Sequence, residues 1–549
     1  MDVSHILKGG AFVLSKERTS RTFVGGVLIL GAGNLLVKVI GLVFKIPLSR
    51  LLGDEGMGYF NTGYTVYSWL FLIGCTGFPV AVSMLVSEAT EREGNGSGSR
   101  RILSVSLQFL FALGLAGCLL LSLFAEAIAV RIGNPGSADA ISAISPAVLF
   151  CSLSGGVRGY FQGKKRMGPT AISQLIEAAL KLVLGILFAR RAFSLGYGLP
   201  AVAAASIRGV TLGTVASTLF LFFELLIEPK ERLLKYKGRK RGSSAALSRR
   251  LLSIAFPVTF SATVMSVTGL IDLIFVMKRL TYAGYATSEA TAAFGNYTTL
   301  AVPFFSLPGI LISPIATGLV PFVSSDLARG DAEAAKRRST SAIRSALVLS
   351  VPAAFGLGLF GRRILSLFFL PASAAAAAPA LAVLAPGVVF LSLVTVSGAI
   401  LQARGRAWVN VLSMLIGAVV KTVAGYYLIG LPRFGVLGAS IGTVLCYGVA
   451  ATFNLLYLHV VFRQPTESGA FIRPLLPTSL SFALGYLTHS IIPDRSCAAA
   501  TFVLLLTSFA LYFPLCLLLR TIAPNDVASM PLFRRFALHP RSKKDQKEI

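Results

Sequence analysis

Apolar runs about 20 residues long, the length a helix needs to cross a bilayer, follow one another along the chain with only short polar gaps between them. The first set covers 22–44, 64–87, 102–127, 138–162, 169–189 and 197–227. After a polar stretch at 228–250, the series resumes at 251–277, 291–325, 345–361, 375–402, 408–430, 434–462, 474–492 and 497–519. This pattern predicts an all-α polytopic membrane protein of about fourteen transmembrane helices.

The pattern also repeats. Residues 146–186 align without a gap onto 386–426, and Pro146/Pro386, Phe150/Phe390, Gln162/Gln402, Arg166/Arg406, Ser173/Ser413, Lys181/Lys421 and Gly185/Gly425 coincide. A weaker echo pairs Asn61 with Asn296, Pro79 with Pro314 and Ala81 with Ala316. An even number of helices separates the copies, so each keeps its orientation and the halves should be related by an axis along the membrane normal. The expected organisation is a cytoplasmic segment 1–21, an N-lobe 22–227, a basic cytoplasmic linker 228–250 and a C-lobe 251–462. Two further helices at 474–519 and a basic tail 520–549 complete it.

Composition excludes a soluble multidomain chain: 54% of residues are hydrophobic, 13% are charged, and mean hydropathy is +0.75. The net charge of +28 does not point to nucleic acid, because the basic residues sit in short breaks between apolar runs. Alternate gaps hold most of the 51 Lys and Arg, which sets those gaps, and both termini, on the cytoplasmic side of a cell membrane. The linker can then rest on anionic lipids. The start of the chain lacks a signal-peptide cleavage pattern, so the first span should stay attached. Six cysteines without CxxC spacing and four scattered histidines indicate neither a disulfide framework nor a metal site, and no cofactor is expected.

A charge near the bilayer centre costs about 2.5–3.5 kcal/mol on insertion scales, so seven embedded ionisable residues need partners or water: Lys38, Arg158, Glu177, Lys181, Arg208, Asp272 and Lys421. Glu177 and Lys181 are spaced i,i+4 in the favourable acid-first order, which reads as a self-neutralising pair. Lys421 has Gly417 where Lys181 has Glu177, and so reads as a cation lacking a local partner and open to an anion. Lys38, Lys45 and Arg50 form a ladder along the first span that suits a diphosphate, or else Lys45 and Arg50 snorkel to the interface. Arg158 and Arg208 read equally as ligands or as packing groups. Candidate substrate ligands are therefore Lys38, Arg50, Arg158, Lys181 and Lys421, and candidate ion-coupling carboxylates are Asp272 and Glu177. Prolines 303, 308, 314 and 321 mark the eighth span as a place where the helix could break and bend.

The runs VKVIGLVFKIPLSRLLGDEGMGYFNTGY, FPVAVSMLVSEA and VPFFSLPGILISPIATGLVPFVSSDL, with the GKKR turn at 163–166, resemble the stage V sporulation protein B group of polysaccharide transporters. That group lies in the multidrug/oligosaccharidyl-lipid/polysaccharide superfamily with the MurJ-type lipid II flippases. The resemblance covers about residues 22 to 520 and implies two six-helix bundles and alternating access. It implies movement of an undecaprenyl-diphosphate-linked oligosaccharide, a lipid II-like peptidoglycan or spore-cortex precursor, to the outer leaflet. By motif position, Lys38 matches a substrate-contacting cation. The second MurJ-type cation is Phe44 here, and the acidic residue beside it is Lys45. The last two helices would border a groove for the lipid tail, and cell-wall synthases become candidate partners.

Two other classes compete. A cation-coupled multidrug exporter of the same superfamily would use an embedded carboxylate. A membrane glycosyltransferase would need an exposed acid/base pair or metal carboxylates, whereas the outer loops are short and nearly free of acids. No phosphate-binding Gly-rich loop is present for an ATP motor.

Overall fold

The computed structural model describes the backbone of residues 3–75, 77–93, 96–228, 244–464, 473–490 and 498–519, with most of their side chains from residue 36 on. The linker beyond 228 up to 243 and the tail 520–549 lie outside the described residues.

In chain order the helices are α1 (Val3–Cys75), α2 (Gly77–Glu93), α3 (Gly96–Leu123), α4 (Ala125–Ile132), α5 (Ala138–Gly163), α6 (Gly168–Ser194), α7 (Leu199–Ile227) and α8 (Ser244–Tyr282). They continue with α9 (Thr287–Asn296), α10 (Val302–Ala328), α11 (Ala332–Ser366), α12 (Pro371–Ala403), α13 (Ala407–Ile429), α14 (Leu437–Phe462), α15 (Leu475–Ser490) and α16 (Ala498–Leu518). No strand occurs among the described residues.

Among the described residues, ten helical stretches are long and apolar enough to cross a bilayer, and the chain is a multi-pass membrane protein. The figure of fourteen rests on the sequence pattern; Gly77–Thr90 and Leu475–Thr488 are shorter apolar helices. Between the first two apolar runs the backbone stays helical, because hydropathy reports solvation and not backbone geometry. α1 is broken only at Gly53, whose φ of 65° and ψ of −171° a residue with a Cβ adopts at a cost. The prolines of the eighth span do not break it either: α10 runs unbroken through Pro308, Pro314 and Pro321. The departure comes earlier, in a π-turn at Tyr297–Ala301.

Contacts divide the chain into two compact units, residues 1–299 with 425–436, and residues 300–424 with 437–549. In the first unit, Phe78, Val82, Leu110, Val157, Phe161 and Leu221 build a core from α2, α3, α5 and α7. Small residues let helices meet backbone to backbone, the usual device where lipid removes the hydrophobic drive between helices. A Cβ on Gly209 would fall 2.3 Å from the Gly185 nitrogen, and one on Gly213 would fall 2.9 Å from the Glu177 carbonyl. α7 therefore lies flush on α6. In the second unit, Ile312, Val323, Leu347, Leu393, Ile400 and Ala450 form the core. α16 is tied to α11 there by Tyr512, whose hydroxyl donates to the Val348 carbonyl at 2.8 Å.

The repeat is visible at one turn in each unit. Lys165, after α5, has φ 61°, and its repeat mate Gly405, after α12, has φ 70°. Beside each, a cation grips the end of a later helix. Lys164 and Tyr160 both donate to Glu228, at 3.1 and 2.9 Å, while Arg404 donates to Gln464 at 3.2 Å. Burial lowers the Lys164 pKa, but its hydrogen bonds with Tyr160 and Glu228 carry it above the ordinary lysine value. Its contribution to stability is thus complete below about pH 10.4 and is lost only as pH rises through the raised value.

One expectation fails outright: Cys151 is disulfide-bonded, although the cysteine spacing indicated no framework. Among the described residues, Cys118, Cys446 and Cys516 are free.

A left-handed conformation costs a non-glycine residue about 1–2 kcal/mol. Lys165→Gly should therefore raise the melting temperature of the detergent-solubilised protein. A lowered melting temperature would show that the lysine side chain outweighs the backbone relief.

Candidate functional site

The close fit of α7 on α6 sets the polar chemistry of the first unit. It brings Thr214 and Ser217 of α7 beside Glu177 of α6, and α5 supplies Arg158. The Arg158 guanidinium donates to Glu177 Oε2 at 2.9 Å, to Ser173 Oγ at 3.0 Å and to Ser217 Oγ at 2.9 Å. Thr214 Oγ1 donates to the second carboxylate oxygen at 3.4 Å. Arg158 is 8% exposed, so these bonds replace its hydration, and only a fork-shaped donor reaches three acceptors at once. Arg158 is a packing group, and the partner of Glu177 is Arg158.

The self-neutralising Glu177–Lys181 pair read from the i,i+4 spacing is therefore not the pair that forms. Lys181 turns to aromatic partners. Its ammonium donates to the Tyr64 hydroxyl at 3.3 Å and lies 4.3 Å from the Tyr64 ring centroid and 5.3 Å from that of Phe44. Such contacts stabilise a cation without neutralising it. Behind them runs a line of rings, Phe44, Phe60, Tyr64 and Tyr67, with successive centroids 5.8, 6.0 and 5.8 Å apart.

Lys45 is the second cation. Its Nζ donates to the Thr298 carbonyl at 3.0 Å, and it directly follows Phe44, whose ring lies 5.3 Å from the Lys181 ammonium. Lys38 lies seven residues earlier on the same face of α1, about 10 Å along the axis, and is exposed. Arg50 is exposed and engaged within the fold. Arg208 is exposed on α7, in line with Leu212 and Leu219. Asp272 is half-buried and engaged within the fold.

Lys421 does not fit its reading as a cation without a partner: it is 8% exposed and engaged within the fold. Around it the repeat has exchanged a charged node for a neutral one. Gly398 replaces Arg158, and its missing Cβ leaves room for Asn410. Asn454 Nδ2 donates to Asn410 Oδ1 at 2.7 Å and to Ser397 Oγ at 3.1 Å. Gly417, in place of Glu177, lies against the Cys446 carbonyl, where a Cβ would stand 2.5 Å away. The sequence pattern gave Tyr64 no role and left Lys45 between a ladder cation and a group snorkelling to the interface. The signals that could have found them are the 60/64/67/71 aromatic spacing and the two-turn separation of Lys45 from Lys38.

Among the described residues no cluster of His, Cys, Asp or Glu suits a metal ion. The arrangement offers two neighbouring lysines, Lys181 over an aromatic wall and Lys45 beside it, with the nearby carboxylate already held by Arg158. It is suited to binding a multiply charged anion.

The polysaccharide biosynthesis protein family matches residues 23–326, and the MatE family matches 257–427. The chain is similar to stage V sporulation protein B of Bacillus subtilis (strain 168), 27% identical over 94% of this chain and 99% of that one. It is also similar to the lipid II flippase MurJ of the same organism, 26% identical over 81% of this chain and 83% of that one. A solved structure of lipid II flippase MurJ in an inward closed conformation superposes with a TM-score of 0.69 at 15% identity, covering 90% of this chain and 99% of that one. A multidrug resistance MATE family transporter, inward-facing, gives 0.66 at 17% identity, covering 78% and 94%. The fold is thus that of the MurJ and MATE transporters, and the resemblance carried by the first-span and eighth-span motifs holds.

Removing the guanidinium strands a carboxylate inside unit 1. Arg158→Met should cost about 3 kcal/mol of stability, read as a fall in melting temperature, and Arg158→Met with Glu177→Leu should recover most of it. Equal losses in the single and double variants would show that the pair is not what holds α5, α6 and α7 in register. Lys421→Ala should lower the melting temperature as well, as expected of an engaged buried cation; unchanged stability would restore it as a ligand candidate.

Proposed function

Because the chain belongs to the polysaccharide biosynthesis protein family, whose match covers residues 23–326, we propose that it is a flippase for a lipid-linked oligosaccharide. The substrate is an undecaprenyl-diphosphate-linked sugar of the peptidoglycan or spore-cortex kind, moved from the inner to the outer leaflet by alternating access. The observation that carries this reading is the Lys45–Lys181 cation pair. The one acid within helical reach of Lys181 is held by Arg158 at 2.9 Å, which leaves the pair's charge for a ligand. A diphosphate matches it, since ammonium groups replace phosphate hydration with short charge-assisted hydrogen bonds. Lys38, two turns further along the same face, serves as the entry cation from the cytoplasmic side.

The rest of the assignment follows from the sequence pattern. Fourteen spans place both termini in the cytoplasm, the lobes are the repeats 22–227 and 251–462, and helices 474–519 border the lipid tail. Cell-wall synthases that consume the sugar on the outer side are the expected partner class. Arg50 is a gate-side cation.

The second reading, a cation-coupled exporter, is favoured by the likeness to a MATE transporter fold. It would need Asp272 or Glu177 as the coupling carboxylate. Glu177 is ion-paired and Asp272 is engaged within the fold, which weighs against both.

Proteoliposomes carrying an undecaprenyl-diphosphate muropeptide should show protein-dependent movement of that lipid between leaflets. Lys38→Ala and Lys181→Met should each cut the rate at least about tenfold, the loss of one charge-assisted contact, while the protein still folds. Normal rates in both variants would remove these cations from the substrate path. No lipid movement, with proton- or sodium-linked dye efflux instead, would replace the flippase with the exporter.

A further inference from the structure

α1 grips the segment that leads into α10, and it does so with contacts of two kinds. The first kind is backbone-close packing with short side-chain hydrogen bonds. A Cβ on Gly58 would collide with the Thr291 carbonyl at 2.1 Å, and one on Gly295 would stand 2.3 Å from the Asp54 carbonyl. Asn61 Nδ2 donates to Thr299 Oγ1 at 2.6 Å, and Asn296 Nδ2 donates to Asp54 Oδ2 at 2.9 Å. The second kind is Lys45, whose charged ammonium holds the Thr298 carbonyl at 3.0 Å.

Three features set that bond apart. Thr298 lies inside the π-turn Tyr297–Ala301, a local departure from α geometry of a kind that recurs at functional sites. The boundary between the chain's two compact units, Thr299/Leu300, falls in the same turn. Lys45 also directly follows Phe44, whose ring lies 5.3 Å from the Lys181 ammonium, so the group that holds the turn lies near where an anion drawn to Lys181 would sit. Immediately before the turn, at the end of α9, the Asn296 Oδ1 acceptor is buried without a partner, a cost that another arrangement would relieve.

We propose that Lys45 is a ligand-released latch: it holds the π-turn through the Thr298 carbonyl while the cation site is empty and lets go when a diphosphate enters beside Lys181. A neutral carbonyl is a weaker partner for an ammonium than a phosphate oxygen. The ligand therefore binds better to the state in which Lys45 is free, and that difference in affinity is what shifts the equilibrium toward release. The inference rests on the flippase reading for the identity of the ligand.

The test is amide hydrogen exchange of the full-length protein in lipid nanodiscs, read at peptides covering 297–301, with inorganic pyrophosphate as the probe and potassium chloride at equal ionic strength as the control. Bound ligands ordinarily slow exchange. Here pyrophosphate should speed it at the turn, by about tenfold if the latch sets local opening. Lys45→Met should exchange fast with or without pyrophosphate, and Lys45→Arg should restore both the slow state and the response. Should Lys45→Met unfold, the wild-type comparison decides alone. Slowed or unchanged exchange at the turn in wild type, or a Lys45→Met turn as slow as wild type without ligand, overturns the latch. Lipid movement measured on the same preparation separates the two claims. A turn that responds in a protein moving no lipid-linked sugar overturns the flippase reading and leaves the latch, whereas sugar movement with a silent turn overturns the latch.

Discussion

The first unit is organised by the ion pair between Arg158 and Glu177. Burying a guanidinium is costly unless every face of it is satisfied, and satisfying this one takes Ser173 and Glu177 from α6 and Ser217 from α7. Three helices are thereby fixed in relative height and rotation. The glycines at 185, 209 and 213 permit that register and the ion pair selects it, because a slide of one residue would leave a buried charge bare. The functional consequence lies next door. With Glu177 held by Arg158, Lys181 turns to the Tyr64 hydroxyl and the Tyr64 and Phe44 rings.

The second unit shows what the same repeat becomes without that pair. Gly398 and Gly417 remove both charged side chains, and Asn410, Asn454 and Ser397 supply a neutral node at the corresponding place. Neutral amides bridge helices at lower desolvation cost. The two copies of the repeat thus differ: an ion pair joins the helices in the first unit, and an Asn410–Asn454–Ser397 node joins them in the second.

Much of the fold was legible because transmembrane length and apolarity are properties of local sequence, and the repeat fixed which segments correspond. The break points were less legible. Four prolines drew attention to the eighth span, yet helix α10 accommodates three of them, and the true irregularity is a π-turn that composition does not mark. Within the site, Lys38 and Lys181 could be found as charges inside apolar runs. The pairing of Glu177 could not, since i,i+4 spacing shows only which neighbours are available on one helix and says nothing of a guanidinium arriving from another. Lys421 misled for the converse reason: lacking a partner on its own helix, it is engaged within the fold.

The central claim is that the Lys45–Lys181 pair is an anion site. The most direct measurement is equilibrium binding of inorganic pyrophosphate to the purified protein, wild type against Lys181→Met, at two salt concentrations. The account predicts binding that weakens as salt rises and falls at least about tenfold in the variant with the fold intact. Equal binding by both proteins would contradict it, and the ligand would then have to be sought elsewhere in the molecule.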